Sequence, residues 1–419
     1  MSNLYNPLKL SEHREKFGSL HLLVVGAGAV GTTFCECACK MGIGQVVILD
    51  PDSFTLENAA KHGCIVRTPE DVGKNKALTV AERMKPLLDD GCTAHGIAGE
   101  LRALGPRVLA QFDVVVCLVD NYDAKFLLSQ LVHRLPPEAR PMLLMAGTYH
   151  ESASSVLLDG HGPCLRCLLD ESWRKVGSIH HSCTGVHYME EEETSAPVIV
   201  RTSHLASAVA AHLAAEQLRA AVLGDKTVLN KRLSYTASPA LSLDLYTPLR
   251  KKHCPDCAME SDPEPVLLPG SVLDTTVDQT VKQLSQQENA PVELLVYASD
   301  PSRSDRFVEQ SVCHCCGKPI RVMKPESRLR LSDLRCDACR EAGRTAFDSV
   351  EFDGGSEHRI LRAFSAESSA ECKALTLYEA GYPLGAYLQY LVRKDGELSI
   401  RTAALAGDPD MLLRVNKLD

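Results

Sequence analysis

The sequence predicts an α/β protein with a Rossmann-like, doubly wound and largely parallel sheet, followed by a small C-terminal α+β unit. Three observations predict this fold class. A strand, a glycine turn, a helix and a second strand follow one another over residues 20–50. Further apolar strands then alternate with helical segments, which is typical of a parallel sheet. The length of 419 residues exceeds what one core usually holds, so we expect an additional smaller unit.

Residues 20–50 are predicted to form a βαβ unit. HLLVV is a strand, GAGAVG is a turn, TTFCECACKMG is a helix and QVVILD is a second strand. Small residues in the turn let the backbone approach a phosphate, while the following helix offers free amide donors. We therefore assign Gly26, Gly28 and Gly31 to nucleotide binding, and Asp50, which ends the second strand, to the ribose hydroxyls. A nicotinamide dehydrogenase would satisfy this pattern equally well.

Alternating elements continue beyond this unit and complete the first part of the chain. Because strands and helices alternate, we expect residues 1–160 to form a nucleotide-binding half around a parallel sheet. The predicted strands are Thr93–Ile97, Val114–Leu118 and Met142–Met145, and the predicted helices are Asn75–Leu88 and Ala124–Leu135.

The rest of the chain is predicted to hold a crossover region, a linker and a second unit. Residues 161–261 contain an irregular segment rich in His, Cys and acidic residues, followed by an alanine-rich helix over Ser203–Leu223. A long irregular segment within a compact domain is usually functional. Residues 262–273 are rich in proline and acidic residues, which is typical of a linker. We therefore predict one domain over residues 1–261 and a C-terminal unit over residues 274–419.

Composition and charge narrow the class of protein. Hydrophobic residues make up 45% and charged residues 24% of the chain, close to the average for globular domains. The net charge of −9 argues against coating nucleic acid or an anionic membrane, because both need a basic surface. The polar start does not resemble a secretory signal, and each apolar stretch falls short of the roughly 20 residues that span a bilayer. We therefore expect a cytoplasmic protein whose 17 cysteines serve metal binding or thiol chemistry.

Two groups of paired Cys-x-x-Cys sequences predict two zinc sites, about two zinc ions per chain. Four thiolates satisfy tetrahedral zinc, and pairs on separated segments staple those segments together. The second group is spaced like a zinc ribbon, with Cys315 as a bystander, and the sequence between its pairs is basic but holds no aromatic residue for base stacking. We therefore favour a structural role for that site over nucleic-acid binding. The groups are Cys164, Cys167, Cys254 and Cys257, and Cys313, Cys316, Cys336 and Cys339.

An ordered set of charged and amide side chains follows the glycine turn, in DPDSFTLENAAKHG, VGKNKA and VVCLVDN. A dehydrogenase does not need two cations and a further carboxylate around its dinucleotide. An enzyme that attacks a triphosphate does, because cations offset the developing charge and a carboxylate holds the magnesium that accompanies pyrophosphate. The set comprises Asp50, Asp52, Asn58, Lys61, Lys76, Asp120 and Asn121. Of these, we assign Asp50, Asp52, Asn58, Lys76 and Asn121 to nucleotide binding.

This set resembles the pattern of the ubiquitin-activating (ThiF/MoeB-like) adenylating enzymes, over roughly residues 10–260. The resemblance implies that the protein uses MgATP to adenylate the C-terminal carboxylate of a ubiquitin-like or sulfur-carrier β-grasp protein. It also implies that residues 1–261 are the adenylation domain. It implies catalytic roles for Lys61, Lys76 and Asp120, with Asp120 as the Mg²⁺ ligand. Lys61 departs from the family's arginine, and lysine lacks the planar bidentate fork. The resemblance also implies a homodimer, in which Arg14 reaches the neighbour's ATP and can supply that fork.

Cys183 is the candidate nucleophile. It lies in SIHHSCTGVHYMEEEE, close to three histidines whose positive charge would favour the thiolate. Relatives that form thioesters or acyl disulfides carry their nucleophile at this position, although some relatives only adenylate. We therefore expect transfer of the activated acyl group to Cys183 as a thioester, and from there to a ubiquitin-conjugating-enzyme-like protein.

Three alternatives stay open on the sequence. A nicotinamide oxidoreductase explains the glycine turn and Asp50 but leaves Lys76 and Asp120 without a role. A relative that activates a carboxylate on transfer RNA is disfavoured by the acidic charge and the cysteine pairs. A non-catalytic scaffold that binds a ubiquitin-like protein is compatible with lysine at position 61. The sequence does not identify the partner or the final acceptor, and a bacterial ubiquitin-like conjugation system is one setting consistent with it.

Overall fold

The computed structural model describes residues 11–56, 62–67, 69–149, 151–169, 203–237, 240–257, 263–298, 306–343, 359–394 and 396–418. The described residues form two compact units. The first unit comprises those up to residue 257 together with residues 413–418, and the second comprises those from 263 to 412. In the described part of the chain, no helix is both long and apolar enough to cross a bilayer.

The first unit contains a nine-stranded sheet with helices on both faces. Its α-helices are α1 (Ser11–Gly18), α2 (Ala29–Met41), α3 (Lys76–Met84), α4 (Pro106–Leu109), α5 (Tyr122–Arg134), α6 (Leu165–Leu168) and α7 (His204–Val222). Its strands are β1 (His21–Val25), β2 (Gln45–Leu49), β3 (Thr93–Gly99), β4 (Val114–Cys117), β5 (Met142–Tyr149), β6 (Ser152–Leu158), β7 (Lys231–Thr236), β8 (Ser242–Tyr246) and β17 (Lys417–Leu418).

The strand order is β17-β3-β2-β1-β4-β5-β6-β7-β8. Each neighbouring pair from β17 through β5 is parallel, whereas β5–β6, β6–β7 and β7–β8 are antiparallel pairs. The apolar run of β1 is buried along four of its five residues, as expected for a central strand covered on both faces. The order reverses between β1 and β4, and ligands of such sheets bind outside the strand ends at that point. The predicted doubly wound, largely parallel sheet is thus confirmed.

Helices α2 and α7 pack on one face of this sheet and form its main core with it. Phe34 of α2 and the alanines of α7 belong to one buried cluster with Val24 and Val116 of the central strands. Helix α7 begins where the sequence predicts it, because the Ser203 hydroxyl accepts a hydrogen bond from the Ala206 amide. Its buried face consists largely of alanine, which lets the helix axis approach the sheet closely.

The second unit is an α+β unit with two small sheets, as predicted for the C-terminal region. The five-stranded sheet has the order β14-β10-β15-β16-β9, and the three-stranded sheet has the order β12-β11-β13. The strands are β9 (Val266–Leu268), β10 (Val292–Leu295), β11 (Phe307–Val312), β12 (Pro319–Pro325), β13 (Arg359–Leu361), β14 (Ala363–Phe364), β15 (Leu388–Lys394) and β16 (Glu397–Leu405). The α-helices are α8 (Val277–Glu288), α9 (Asp337–Glu341), α10 (Ala370–Ala374) and α11 (Asp408–Met411).

Two short strands fall outside the predicted division of the chain. Residues 262–273, expected to be a linker, include β9, which pairs parallel with β16 in the second unit. Residues 417–418 lie beyond the second unit and pair with β3 of the first. Both strands have only two or three residues, so their backbone pairing leaves no periodic pattern in the sequence.

Candidate functional site

The glycine turn between β1 and α2 lies at the strand-order reversal. Gly26 has a φ of 98°, and a Cβ there would lie 3.0 Å from the Leu118 carbonyl carbon. A Cβ on Gly31 would lie 2.1 Å from the Gly26 carbonyl oxygen, so glycine is required at both positions. A Cβ on Gly28, which caps α2, would meet no atom within 4 Å. The space in front of the α2 N-terminus is therefore open to a ligand, and free helix N–H groups favour an anion there.

Asp50 holds this turn against the end of β2. Its Oδ2 accepts a hydrogen bond from the Ala27 amide at 2.7 Å, and its Oδ1 accepts one from the Asp52 amide at 2.9 Å. Its side chain is 6% exposed, and burial raises the pKa of Asp50, opposed by the Lys76 charge and the two amides. The carboxylate therefore fixes the turn, and its predicted contact with a ribose stays a prediction.

Lys76 and Asp52 form an ion pair beside the turn. Lys76 is the first residue of α3 and is 5% exposed, and its Nζ lies 3.0 Å from Oδ2 of Asp52, whose side chain is 58% exposed. Asn75 caps α3 by accepting from the Leu78 amide, and its Nδ2 donates to the carbonyl oxygens of Asp50 and Asp52, each at 3.0 Å. These hydrogen bonds hold GKNKA (residues 73–77) against DPD (residues 50–52). Lys76 is therefore a buried cation at the carboxyl end of β2.

Asp120 and Asn121 follow β4 at the same edge of the sheet. Asp120 is exposed, and it follows Leu118 and Val119, each of which has an atom 3.0 Å from where a Cβ on Gly26 would lie. The Asn121 side chain accepts from the amides of Asp123 and Ala124 and so caps α5. An exposed carboxylate at the edge that carries the glycine turn suits Mg²⁺, which prefers oxygen ligands and keeps several waters. Asn121, assigned to nucleotide binding from the sequence, thus also caps helix α5.

The other predicted site residues lie apart from this edge or outside the described residues. Arg14 is on α1, where it pairs with Asp89 at 3.3 Å, and both side chains are exposed. Asn58, Lys61 and Cys183 lie outside the described residues.

Lys125 is a charged residue at this edge that the sequence analysis missed. It lies on α5 and is 8% exposed, on the face that also buries Leu128, Ser129 and Val132. The signal for it was a lysine at a position where helical periodicity requires an apolar residue. Its Nζ lies 5.0 Å from the centroid of the Tyr122 ring, a distance at which a cation is attracted to an aromatic face.

The first cysteine group is assembled as predicted. The Sγ–Sγ distances are 3.5 Å for Cys164 and Cys254, 3.4 Å for Cys167 and Cys257, and 3.9 Å for Cys164 and Cys167. Tetrahedral zinc with Zn–S bonds of ~2.3 Å requires Sγ–Sγ distances of about 3.8 Å. A hydrogen bond from the Cys164 thiol is the largest cause that lowers the pKa of Cys257 and raises that of Cys164. The cluster therefore favours a thiolate and fits zinc.

The second cysteine group is assembled in the second unit. The ligand atoms of Cys313, Cys316, Cys336 and Cys339 all lie within 4.8 Å of one another, and Cys316 Sγ lies 3.7 Å from Cys336 Sγ. The Cys336 amide donates to Cys313 Sγ at 3.2 Å, a contact that favours the thiolate. Cys315 is not part of the group. Both groups could therefore hold zinc.

The largely parallel sheet with its glycine turn, flanking charges and four-cysteine group defines a Rossmann-like α/β protein whose glycine turn is of the nucleotide-binding type. The chain belongs to the ThiF family, whose family model matches residues 3–258.

Two curated relatives illustrate this membership. The SAMP-activating enzyme E1 of Haloferax volcanii is 29% identical over 154 residues, which cover 37% of this chain and 55% of that protein. The sulfur carrier protein adenylyltransferase of Thermus thermophilus is 28% identical over 167 residues, which cover 38% and 58%. The chain thus spans a little over half the length of these relatives. A crystal structure of E. coli MccB with ATP aligns over 58% of this chain and 68% of that chain, with 20% identity and a TM-score of 0.44.

Proposed function

We propose that this protein adenylates the C-terminal carboxylate of a ubiquitin-like or sulfur-carrier β-grasp protein, with MgATP as the second substrate. The observation that carries the proposal is the arrangement of buried Lys76 and exposed Asp120 on either side of the glycine turn. Membership of the ThiF family and the names of the two relatives support it. A nicotinamide enzyme has no comparable use for a cation and a carboxylate at these two places.

In the proposed reaction the chain positions charge rather than forming bonds. The amides at the start of α2 bind phosphate oxygens, and Lys76 leaves Asp52 to offset the charge that develops on the triphosphate. Asp120 would hold Mg²⁺, which would supply positive charge to offset that of the departing pyrophosphate. A carboxylate oxygen of the partner bonds to the α-phosphorus as the bond to the β-phosphate oxygen breaks. The product is a mixed anhydride, and the leaving pyrophosphate takes the electron pair.

The proposal extends to a second step and to an assembly. Cys183 then attacks the mixed anhydride, forms a thioester and releases AMP, and a ubiquitin-conjugating-enzyme-like protein accepts the acyl group. Two chains form a homodimer in which Arg14 of each reaches the neighbour's ATP. A zinc ion in each cysteine group would stabilise the fold of the crossover region and of the second unit.

ATP–pyrophosphate exchange tests the first step. The purified protein is incubated with MgATP, labelled pyrophosphate and candidate β-grasp proteins, and label incorporation into ATP is measured. Exchange that requires both magnesium and a partner with a free C-terminal carboxylate supports adenylation. Partner binding without exchange would instead support the scaffold alternative, and cofactor-dependent hydride transfer would support an oxidoreductase.

A further inference from the structure

Lys125 is a buried cation without a protein anion among the described residues. In that part of the chain, no carboxylate lies within ion-pair distance of its Nζ, and the Tyr122 ring is its contact. Burial lowers the pKa of Lys125. The charges of Cys117 and Asp120 oppose this shift, and the charge of Arg232 adds to it. A buried ammonium without a counter-ion costs free energy unless a ligand supplies the missing negative charge.

The position of Lys125 Nζ is fixed by β5. A Cβ on Gly147 would lie 3.1 Å from this atom, so glycine at 147 leaves the space that the ammonium occupies. Cys117 pairs with Met145 in the last pair between β4 and β5, which puts Gly147 two residues beyond the carboxyl end of β4. The ammonium therefore lies at the ligand-binding edge of the sheet and not within its core.

The charged groups at this edge follow the strand order. The Lys76–Asp52 pair lies beyond β2, the glycine turn follows β1, Asp120 follows β4, and Lys125 Nζ lies against β5. The proposed nucleotide occupies the β2 and β1 part, with its phosphates on the glycine turn. In-line attack on the α-phosphorus comes from the side opposite the departing pyrophosphate. The β4 and β5 part is the portion of this edge that the nucleotide leaves open, so the attacking carboxylate occupies it.

We infer that Lys125 binds the carboxylate of the acyl substrate, an inference that rests on the proposed adenylation. One carboxylate oxygen attacks the α-phosphorus and becomes the bridging oxygen of the mixed anhydride. The other oxygen accepts a hydrogen bond from Lys125 Nζ and remains there as the carbonyl oxygen of the product. No proton is transferred, and pyrophosphate leaves as before. Lys125 thus orients the attacking carboxylate, whereas Lys76 offsets the charge on the phosphates.

The test compares Lys125→Met, which keeps the length of the side chain, with Lys125→Arg, which keeps the charge. The probes are 5′-O-sulfamoyladenosine and its N-acetylglycyl derivative, a stable mimic of the acyl adenylate. Calorimetry with the full chain measures both dissociation constants. In the parent, the acetylglycyl group should raise the affinity above that of sulfamoyladenosine. In Lys125→Met this increase should be smaller by roughly 10- to 100-fold, the range expected for the loss of a hydrogen bond to a charged group. Lys125→Arg should keep most of the gain, and binding of MgATP and of sulfamoyladenosine should change by less than about twofold.

Other results separate the possible failures. If Lys125→Met weakens MgATP and sulfamoyladenosine by tenfold or more, Lys125 is a phosphate ligand and the inference is overturned. If the acetylglycyl gain is unchanged while the variant has a lower melting temperature, the role is structural and the inference is again overturned. If the parent binds MgATP and the acyl mimic but Lys125→Met behaves like the parent, the inference fails and adenylation stands. A parent protein that binds none of the adenosine probes would overturn both.

Discussion

Asp50 and Lys76 are both buried at the edge of the first sheet, yet their charges are balanced differently. Asp50 accepts two backbone hydrogen bonds that belong to the fold, whereas Lys76 is paired with a mostly exposed carboxylate. An ion pair with an exposed partner contributes little free energy and can open easily. We therefore expect Lys76 to exchange Asp52 for a phosphate on nucleotide binding, while Asp50 stays in place.

The metal role of Asp120 gives the first prediction. Asp120→Ala should lower the rate of ATP–pyrophosphate exchange by two or more orders of magnitude, because it removes the proposed Mg²⁺ ligand. Asp123→Ala is the matched control, since Asp123 lies three residues further on, also exposed. Exchange is measured over a range of magnesium concentrations. Equal rates for the two variants would rule out Asp120 as the metal ligand.

The proposed nucleophile gives the second prediction. Cys183→Ala should leave pyrophosphate exchange intact, because adenylate formation precedes attack by the thiol. It should abolish a covalent adduct with the partner that survives denaturant but is cleaved by a thiol reductant. Cys64→Ala is the control, because Cys64 is an exposed cysteine outside both four-cysteine groups. An adduct that persists in Cys183→Ala, as detected by gel electrophoresis, would show that another thiol is used.

Individual side chains were predicted where a motif fixed both their type and their spacing. Lys76 and Asp120 follow from an ordered set of residues, and the two cysteine groups follow from their paired spacing. The hydrogen bonds of Asp50 and Asn121 to backbone amides could not be predicted, because they depend on how the turns fold back. Lys125 was missed because one lysine on an otherwise apolar helix face usually lies at the end of that face.

Among the elements, the glycine turn offers a test in which neighbouring glycines behave differently. Gly31→Ala should destabilise the fold by several kcal/mol, because the new Cβ would overlap the Gly26 carbonyl oxygen and force the turn apart. Gly28→Ala should keep the parent's stability, since its Cβ has open space, but should weaken MgATP binding by narrowing the phosphate opening. Chemical denaturation and calorimetry measure the two effects. Loss of stability in Gly28→Ala alone would contradict the geometry of the turn.

The long elements were predictable because burial imposes a period on the sequence. The central strands and α7 appear at the expected places, since continuous apolar runs and an alanine-rich stretch specify them. Strands β9 and β17 were not predicted, because their stability comes from pairing with a distant strand. Contacts between residues far apart in sequence leave no local pattern. The observed division into units therefore differs from the predicted one at these strands.

At the scale of the whole molecule, the metal content is the simplest measurement. The purified protein should carry about two zinc ions per chain, one in each cysteine group. Cys164→Ser should lose one ion and weaken the crossover region, while Cys315→Ser should keep both, because Cys315 is outside the group. Elemental analysis by mass spectrometry measures the ratio. A parent protein without zinc, purified in the absence of chelators, would refute both sites.

The assembly gives the last prediction. Light scattering should show a homodimer, and Arg14→Ala should lower exchange by at least tenfold without dissociating it, because the proposed contact is with the neighbour's ATP. The exposed pair of Arg14 with Asp89 contributes little and would not hold the side chain back. Lys16→Ala, another exposed cation on α1, should have normal activity. A fully active monomer at the assay concentration would exclude the arrangement.

The pairing of β17 with β3 also protects the first sheet from misassembly. The Ala98 amide donates to the Asn416 carbonyl at 2.8 Å, and His95 Nε2 lies 2.9 Å from the Val415 carbonyl. Without these residues, β3 would become an open edge whose free N–H and C=O groups can recruit strands from other chains. The second unit, residues 263–412, precedes β17 in the sequence. A truncation that ends the chain before the second unit would therefore also remove β17 and leave β3 as an aggregation-prone edge. Keeping β17 after excision of residues 263–412 would require a bridge long enough to cross the sheet, because β8 and β17 lie at its opposite edges.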